Sequence, residues 1–451
     1  MENKELFFED LLNAITEKKY GYLRRQLAEL DAPDAAEFLD EYAPEDALAV
    51  VFRLLPKVNA AEAFAYLDAD VQASIIGAIT DREVGDLVNE LYTDDAADML
   101  EELPANVVKR VITNVNRETR ELINQYLRYP ESSAGSVMTS EFIDLKLTMT
   151  VEDAFTRIRT IGEDKETLYT LFVVDKNLKL EGVVNARDLM LSERDKMISD
   201  IVNTGFVSVK TTDDQEYAAE LISRYDLLAI PVTDKEERLV GIITVDDVID
   251  VIQEETTEDF EIMAAITPSE KPYLKTGVFT LAKNRIIWLL ILMISATLTG
   301  TILGHFESAF TVVPLLVALM PMLTDTGGNA GSQSSTLIIR GMAVGEIESC
   351  DIVRVMWKEL RVSLLCGVIL AAVNFARVLI MYPGEMNVAI VISLSLVATV
   401  VMAKVIGCCL PIVAKVCRLD PAIMAAPLIT TIVDAGALLV YFSVAKSILH
   451  I

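Results

Sequence analysis

Residues 286–304 read IIWLLILMISATLTGTILG, a run of 19 residues without a charged side chain. At about 1.5 Å per residue, a helix of this length crosses a bilayer hydrocarbon core of about 30 Å. Further apolar segments follow it along the chain. We therefore predict a multi-pass membrane domain at 281–451 whose five helices occupy about 286–305, 309–340, 362–382, 386–410 and 421–446.

The formal charge is divided unequally along the chain. Residues 1–270 hold 58 Asp and Glu against 26 Lys and Arg, whereas residues 271–451 hold 9 against 13. Crowded carboxylates repel one another unless positive ions lie between them, so the acidic half points to cations as partners. We expect membrane lipid around the apolar half and no nucleic acid on the acidic half.

Basic residues set the expected orientation in the membrane. They precede the first span and follow the second and fourth: Lys275, Lys283, Arg285, Arg340, Arg354, Lys358, Arg361, Lys404, Lys415 and Arg418. Under the positive-inside rule, this places the N-terminus in the cytoplasm and the C-terminus outside the cell (inner) membrane. Residues 1–5 lack the basic and apolar regions of a signal peptide.

Residues 1–130 are predicted to form an acidic, all-α, solenoid-like domain. Apolar positions recur at helical spacing, and Ala43-Pro44 to Leu55-Pro56 echoes Thr93-Asp94-Asp95 to Leu103-Pro104. Repeated helix starts followed by proline are typical of short stacked helices.

A clearer repeat follows in the soluble half. Leu171-Phe172-Val173-Val174-Asp175 recurs 59 residues later as Ile230-Pro231-Val232-Thr233-Asp234, and both copies fit an α/β order of strands and helices. This pattern resembles a tandem pair of CBS domains, at 131–200 and 201–253. Arg187 and Asp188 match positions that contact ribose in such domains, so the resemblance implies ATP as a ligand, while a helix cap is the alternative role for the aspartate.

Carboxylates line the segment that leaves the second repeat. They are Asp246, Asp247, Asp250, Glu254, Glu255, Glu258, Asp259 and Glu261. On a helix, like charges at i,i+3 and i,i+4 repel each other, which favours bound cations; a solvated acidic face is the alternative. Asp94, Asp95 and Asp98 form a similar face in the N-terminal domain, with Glu62 and Asp46 as candidate neighbours.

The membrane half carries polar groups within apolar sequence. Residues 324–335 read TDTGGNAGSQSS, and Asp434 follows Pro427 and Thr430 in the last span. An ionisable residue in a span is a functional candidate, and oxygen ligands suit magnesium or calcium. Two alternatives stay open: close helix packing through the small residues, and a buried ion pair of Asp434 with Arg377 or Lys404.

The chain resembles the MgtE family of magnesium channels. The resemblance rests on the order of its domains, on the signature TGGNAGSQ at 326–333 and on the run from Asp420-Pro421 to Asp434. The resemblance covers nearly the whole chain. It implies a homodimer whose fifth helices line one pore, with Asp434 at the ion-selective site and Asp420 at the cytoplasmic mouth. Thr430 belongs to the same path, as does Ala426, where some members carry Asn.

The resemblance also implies cytoplasmic magnesium sensors and a plug. The sensors map onto Glu62, Asp94, Asp98, Asp214, Glu216, Asp226, Asp247, Asp250, Glu255, Glu258 and Asp259. The plug is a connecting helix at 254–280 that holds the pore shut when the sensors are filled.

The predicted function is a homodimeric, Mg²⁺-selective channel that imports Mg²⁺ and is closed by internal Mg²⁺. The alternative is a proton- or sodium-coupled carrier in which Asp434 titrates. An anion channel would need basic pore residues, and an enzyme is not expected, because the sequence offers no nucleophile-and-base pair or phosphate loop. Whether Co²⁺, Mn²⁺ or Ni²⁺ also pass, and which nucleotide binds, stay open.

Overall fold

The structure is a computed structural model that describes residues 2–269, 273–306, 312–424 and 426–450. The chain divides into two compact units, Met1–Gln253 (unit 1) and Glu254–Ile451 (unit 2). Each unit has its own clusters of buried apolar side chains.

Unit 1 begins with a run of short helices around a core that contains the buried rings of Phe8, Phe38 and Phe64. Helices this short are stabilised mainly by packing of an apolar face. Thr80 and Glu83 form a capping box, in which each side chain accepts the other residue's backbone N–H. The predicted all-helical N-terminal region is confirmed. Its helices are α1 (Glu2–Thr16), α2 (Tyr20–Leu27), α3 (Ala32–Glu37), α4 (Leu48–Phe52), α5 (Lys57–Ala65), α6 (Ala69–Ala78), α7 (Asp81–Glu90), α8 (Thr93–Glu102), α9 (Ala105–Asn114) and α10 (Arg117–Tyr126), with a π-helical turn at Phe38–Tyr42.

The repeat forms two small sheets with the same strand order. In each sheet the first strand pairs parallel with the second, which pairs antiparallel with the third. Phe172 lies opposite Val183 in one sheet, and Pro231 lies opposite Ile242 in the other, which preserves the 59-residue offset. The predicted α/β tandem repeat is therefore confirmed. Its elements are β1 (Asp144–Leu145), α11 (Val151–Ile161), β2 (Thr170–Val174), β3 (Leu180–Asn185), α12 (Ala186–Leu191), β4 (Val209–Lys210), α13 (Gln215–Tyr225), β5 (Ala229–Thr233) and β6 (Leu239–Thr244).

The acidic helix α14 (Val245–Met263) ends at Met263, well before residue 280, where the predicted plug at 254–280 ends. Ala265 adopts a left-handed conformation with φ of 56°, and the Ile266 amide donates to the Glu261 carbonyl across 2.9 Å. This pattern closes a helix, so the next helix starts separately at Val278. Pro268 was an available signal for this end, because proline is common just beyond a helix C-terminus and cannot continue the helix.

Unit 2 consists mainly of long helices. In its core, the Tyr441 hydroxyl donates to the Leu316 carbonyl across 3.1 Å, so one buried phenol is satisfied within apolar surroundings. Its helices are α15 (Val278–His305), α16 (Leu315–Ala343), α17 (Ile352–Met381), α18 (Met386–Val416) and α19 (Ala426–Leu449).

Among the described residues, four helical segments are long and apolar enough to cross a membrane: Val278–His305, Ser349–Met381, Met386–Val416 and Pro421–Leu449. Helix α16 has 29 residues but contains the polar stretch 324–335, which makes it less apolar. The prediction of several transmembrane helices is therefore supported, and the count of five stays a prediction.

Candidate cation sites

Five carboxylates of unit 1 lie close enough for their charges to act on one another: Asp94, Asp95, Glu141, Glu166 and Asp247. We call them the unit-1 acidic cluster. They come from the first turn of α8, the segments flanking α11, and the first turn of α14. Residues more than 150 positions apart in sequence are thus brought together by the contact of the helical region with the repeat.

Hydrogen bonds hold Glu141 at the centre of this contact. Its carboxylate accepts from the Thr93 hydroxyl at 2.8 Å and from the Thr139 hydroxyl at 2.7 Å. The Glu166 amide donates to the Glu141 carbonyl oxygen at 2.9 Å. Asp247 accepts from the Thr244 hydroxyl at 2.5 Å, which fulfils the helix-start role expected of such an aspartate.

Burial and mutual repulsion favour the neutral forms of these acids. Burial, then Asp247 and other acids, raises the pKa of Asp95 to about 6. Burial, then Asp247 and Asp246, raises the pKa of Glu166 to about 8. The pKa of Asp94 is also raised, by burial first and the neighbouring carboxylates second.

Two oxygens in this cluster are buried without a hydrogen-bond partner, Asp94 Oδ1 and Glu166 Oε2. Orphaned carboxylate oxygens beside further carboxylates fit a hard divalent cation, which would satisfy them and offset the repulsion. Within the described ranges, no three His, Cys, Asp or Glu side chains are grouped closely enough to form a ready ligand cage. Magnesium usually keeps several waters and needs only one or two carboxylates, so such a cage is not required.

The other candidate sensors of unit 1 fall into separate places. Glu62 and Asp250 both lie within electrostatic range of Tyr66, as does Asp95 of the cluster. Asp98 lies one turn after Asp94 on α8 and is exposed.

Asp214 and Asp226 stand at opposite ends of the 11-residue helix α13. Asp214 caps the N-terminus by accepting from the Glu216 amide at 2.8 Å, and Asp226 ends the helix in a left-handed conformation. A helix of this length measures about 16 Å, so Asp226 and Asp214 cannot ligate the same ion within one chain.

The nucleotide candidates Arg187 and Asp188 are both exposed at the start of α12, directly after β3. The equivalent place in the second repeat is the start of α14. There Asp247 matches Asp188, whereas Asp246 stands where the first copy has Arg187, so the two copies differ in charge at that one position.

Unit 2 brings acids of α14 near Asp420, which precedes the short turn before the last helix. Burial first, then Asp420, Glu255 and Glu258, raises the pKa of Asp259 to about 6. Asp420 itself accepts from the Ala422 amide at 2.7 Å, which fixes the short helical turn Pro421–Met424. Four carboxylates singled out in the sequence are therefore close together here. We call Glu255, Glu258, Asp259 and Asp420 the unit-2 acidic cluster.

The first turns of the last helix, α19, hold two threonine hydroxyls in fixed positions. The hydroxyls of Thr430 and Thr431 each donate to the Pro427 carbonyl at 3.0 Å, which leaves their lone pairs available as acceptors. Asp434 lies one turn after Thr430 and is half-buried. Helix α19 begins at Ala426.

The predicted alternative partners of Asp434 are engaged elsewhere. Lys404, only 6% exposed, lies 3.7 Å from the carboxylate of Glu359 and donates to Ser334 at 3.4 Å. Arg377 contacts the sulfur of Met322 at 3.1 Å. The ion-pair reading of Asp434 with Lys404 or Arg377 therefore finds no support.

Comparison with known families matches the helical region, both repeats and most of the long helices of unit 2. A profile described as a divalent cation transporter, MgtE, matches residues 320–444; the MgtE intracellular N domain matches 30–132; and CBS domains match 134–194 and 198–254. A magnesium transporter MgtE of Thermus thermophilus is 36% identical over 96% of this chain and 99% of its own length. This chain belongs to the MgtE family. A second MgtE relative, from Bacillus subtilis, is 33% identical over 92% of this chain and 94% of its own.

Solved structures match about half of this chain. The soluble part of a magnesium transporter is 31% identical, with a TM-score of 0.53, and covers 56% of this chain and 99% of that one. The cytosolic domain of an Mg²⁺ channel MgtE in complex with ATP is 35% identical, with a TM-score of 0.52, and covers 54% of this chain and 99% of that one. The predicted family is confirmed, and its full-length relatives are named as transporters, in agreement with the expectation that the chain is not an enzyme.

Sequence reasoning missed Glu141 and Glu166 of the MgtE protein's unit-1 acidic cluster. Glu141 has no charged neighbours in sequence, and Glu166 lies in the short mixed run 163–166. The hydrogen bond from the Glu166 amide to the Glu141 carbonyl oxygen brings the two together. One signal was available: Glu166 directly follows the extra residues 162–165 that distinguish the first repeat from the second.

Proposed function

We propose that this MgtE family member is a homodimeric, Mg²⁺-selective channel that imports Mg²⁺ down its electrochemical gradient and closes when Mg²⁺ fills its cytoplasmic acidic sites. The observation that carries the proposal is the placement of Thr430 and Asp434 one turn apart on α19, with Asp420 at the start of the short turn that precedes this helix. This face joins an acidic entrance to a carboxylate within an apolar helix.

The chemistry of that face suits a largely hydrated ion. Magnesium sheds water reluctantly, so carboxylate, hydroxyl and carbonyl oxygens bind it best through its own water shell. The transmembrane potential supplies the driving force: at about 2.3 kcal/mol per charge per 100 mV, a divalent ion gains roughly 4.6 kcal/mol. Asp434 and Asp420, with Thr430 and the backbone at Ala426, are the residues that we assign to this path.

Gating is assigned to the acidic clusters. Asp259 lies within the field of Asp420, so a divalent ion between them would hold the acidic helix at the entrance of α19. Without an ion the same carboxylates repel each other, which favours opening. In unit 1 the orphaned oxygens of Asp94 and Glu166 support a second place for regulatory ions. The regulatory residues that we assign from the sequence are Glu62, Asp94, Asp98, Asp214, Glu216, Asp226, Asp247, Asp250, Glu255, Glu258 and Asp259, and the structure adds Glu166 as a neighbour of Asp94.

The dimer and the orientation belong to the same proposal. Asp434 is only half-buried in a single chain, as expected if a second copy completes the path. We place the protein in the cell (inner) membrane with its N-terminus in the cytoplasm and its C-terminus outside, because the basic residues favour that orientation. Mass photometry of the detergent-solubilised protein tests the stoichiometry.

ATP is proposed as a ligand of the CBS pair. Support comes from the relative whose cytosolic domain was solved with ATP and from the exposed Arg187 and Asp188 after β3. Titration of the intact protein with ATP, compared with Arg187→Ala, tests this assignment. Equal affinity in both proteins would place the nucleotide elsewhere.

The deciding experiment is Mg²⁺ influx into proteoliposomes that contain the intact protein, with the voltage set by potassium and valinomycin and no proton or sodium gradient. We expect voltage-driven influx that is lost in Asp434→Asn and suppressed by Mg²⁺ on the cytoplasmic side. Influx that appears only after a proton or sodium gradient is imposed would favour a coupled carrier. Competition by Co²⁺, Mn²⁺ and Ni²⁺ in the same assay defines the cation range.

A further inference from the structure

The polar stretch 324–335 of α16 packs directly against the proposed ion-path face of α19. A Cβ added to Gly328 would lie 3.0 Å from Cγ2 of Thr430, and one added to Gly331 would lie 2.7 Å from Cγ2 of Ile429. The glycines are therefore needed for this close approach of two helices. Part of the stretch is explained by packing, but Asp325 is not.

The contacts also fix the relative direction of the two helices. Gly328 meets Thr430 and Gly331 meets Ile429, while the Ser335 hydroxyl donates to the Met424 carbonyl at 2.9 Å. Positions increase along α16 as their partners decrease along α19 and into the turn before it, so the two helices are antiparallel.

This register places Asp325 beside Asp434. Asp325 lies three residues before Gly328 on α16, and Asp434 lies four residues after Thr430 on α19. Because the helices are antiparallel, these two steps run in the same direction, by about 4.5 and 6 Å. Both steps return to nearly the same helix face. In agreement, Asp325 lies close enough to Asp434 for their charges to act on each other.

We propose that Asp325 is a second carboxylate of the ion path, which with Asp434 concentrates divalent cations at the mid-part of α19. The inference rests on the proposed function, since it takes Asp434 as a path residue. Asp325 is exposed on the single chain and Asp434 is half-buried, so neither side chain is fully enclosed within one copy. Two carboxylates attract a divalent ion more strongly than a monovalent ion, because the attraction scales with the charge of the ion.

The test compares Mg²⁺ influx into voltage-clamped proteoliposomes for the intact protein, Asp325→Asn, Asp325→Glu and Asp434→Asn. Glu385→Gln is the matched control, because Glu385 is an exposed acid between α17 and α18 and its side chain caps no helix. We expect Asp325→Asn to raise the half-saturating Mg²⁺ concentration about three- to tenfold, the size of one charge acting on a divalent ion across several ångströms. Asp325→Glu should recover most of the affinity, which a purely packing role would not produce.

The outcomes separate this inference from the proposed channel. If Asp434→Asn abolishes influx while Asp325→Asn behaves like Glu385→Gln, the role of Asp325 is overturned and the path through Asp434 stands. An Asp325→Glu variant as impaired as Asp325→Asn would also overturn it, because the charge would then be irrelevant. Unchanged influx in Asp434→Asn would overturn both the path and the inference.

Discussion

The backbone amide of Glu166 donates to the carbonyl oxygen of Glu141 across 2.9 Å, and this bond places two carboxylates in the same buried region of unit 1. The Glu141 side chain is satisfied by Thr93 and Thr139, whereas Glu166 keeps a buried oxygen without a partner. The two acids therefore have different roles. Glu141 accepts hydrogen bonds that link the helical region to the repeat, and Glu166 has an oxygen that can bind a proton or a cation.

The first prediction concerns pH and Glu166. Its pKa is raised from 4.5 to about 8, so the folded state favours the protonated acid. The resulting stabilisation is complete below pH 4.5 and is lost as the pH rises through 8. Because the side chain is partly exposed, we expect about 1–2 kcal/mol after solvent screening. In the absence of Mg²⁺, hydrogen exchange of residues 139–167 in the intact protein should therefore lose roughly tenfold protection between pH 6 and pH 9, after correction for intrinsic rates.

The matched variants for this measurement lie three residues apart. Glu166→Gln should keep its protection at pH 9, because the amide mimics the protonated acid. Glu163→Gln removes an exposed carboxylate from the same loop and should behave like the unmodified protein. An identical pH profile for Glu166→Gln and the unmodified protein would show that Glu166 does not control this opening.

The second prediction concerns the unit-2 acidic cluster. Asp259→Asn removes one of the carboxylates that would share an ion with Asp420. A unit charge near a protein surface contributes roughly 1–2 kcal/mol to the binding of a divalent ion. We therefore expect that half-inhibition of influx will need about tenfold more cytoplasmic Mg²⁺ in Asp259→Asn. Glu346→Gln, an exposed acid after α16, is the control and should leave inhibition unchanged. Equal inhibition in Asp259→Asn would remove this cluster from the gate.

Local sequence signals account for much of this fold. The uncharged run at 286–304 and the 59-residue repeat depend on hydropathy and periodicity, which are visible in single segments. The meeting of Asp94 with Glu166 depends on how helices pack on the repeat, and no spacing encodes it. Lys404 shows the same limit: its partner Glu359 is 45 positions away on another helix.

The third prediction separates two neighbouring threonines on α19. Both hydroxyls donate to the Pro427 carbonyl at 3.0 Å, so Thr430→Val and Thr431→Val lose the same hydrogen bond and keep nearly the same shape. Both lie about one turn before Asp434, but Thr430 is the one that meets Gly328 of α16, the helix that carries Asp325. We expect Thr430→Val to reduce Mg²⁺ influx about three- to tenfold, the loss of one hydrogen-bond partner, and Thr431→Val to have little effect. An equal loss of influx in the two variants would show that both threonines act only by stabilising the helix.

The last prediction concerns the buried pair Lys404–Glu359. Glu359→Met leaves the Lys404 ammonium buried with only the 3.4 Å contact to Ser334, and such uncompensated charges cost about 3–5 kcal/mol. The double variant Glu359→Met/Lys404→Met fills similar volume without charge, so its free energy of unfolding should return close to that of the unmodified protein. Unfolding in mixed micelles measures all variants, with exposed Lys415→Met as the control. If the double variant is destabilised by the sum of the single effects, the two side chains do not act as a pair, and their closeness is only a consequence of helix packing.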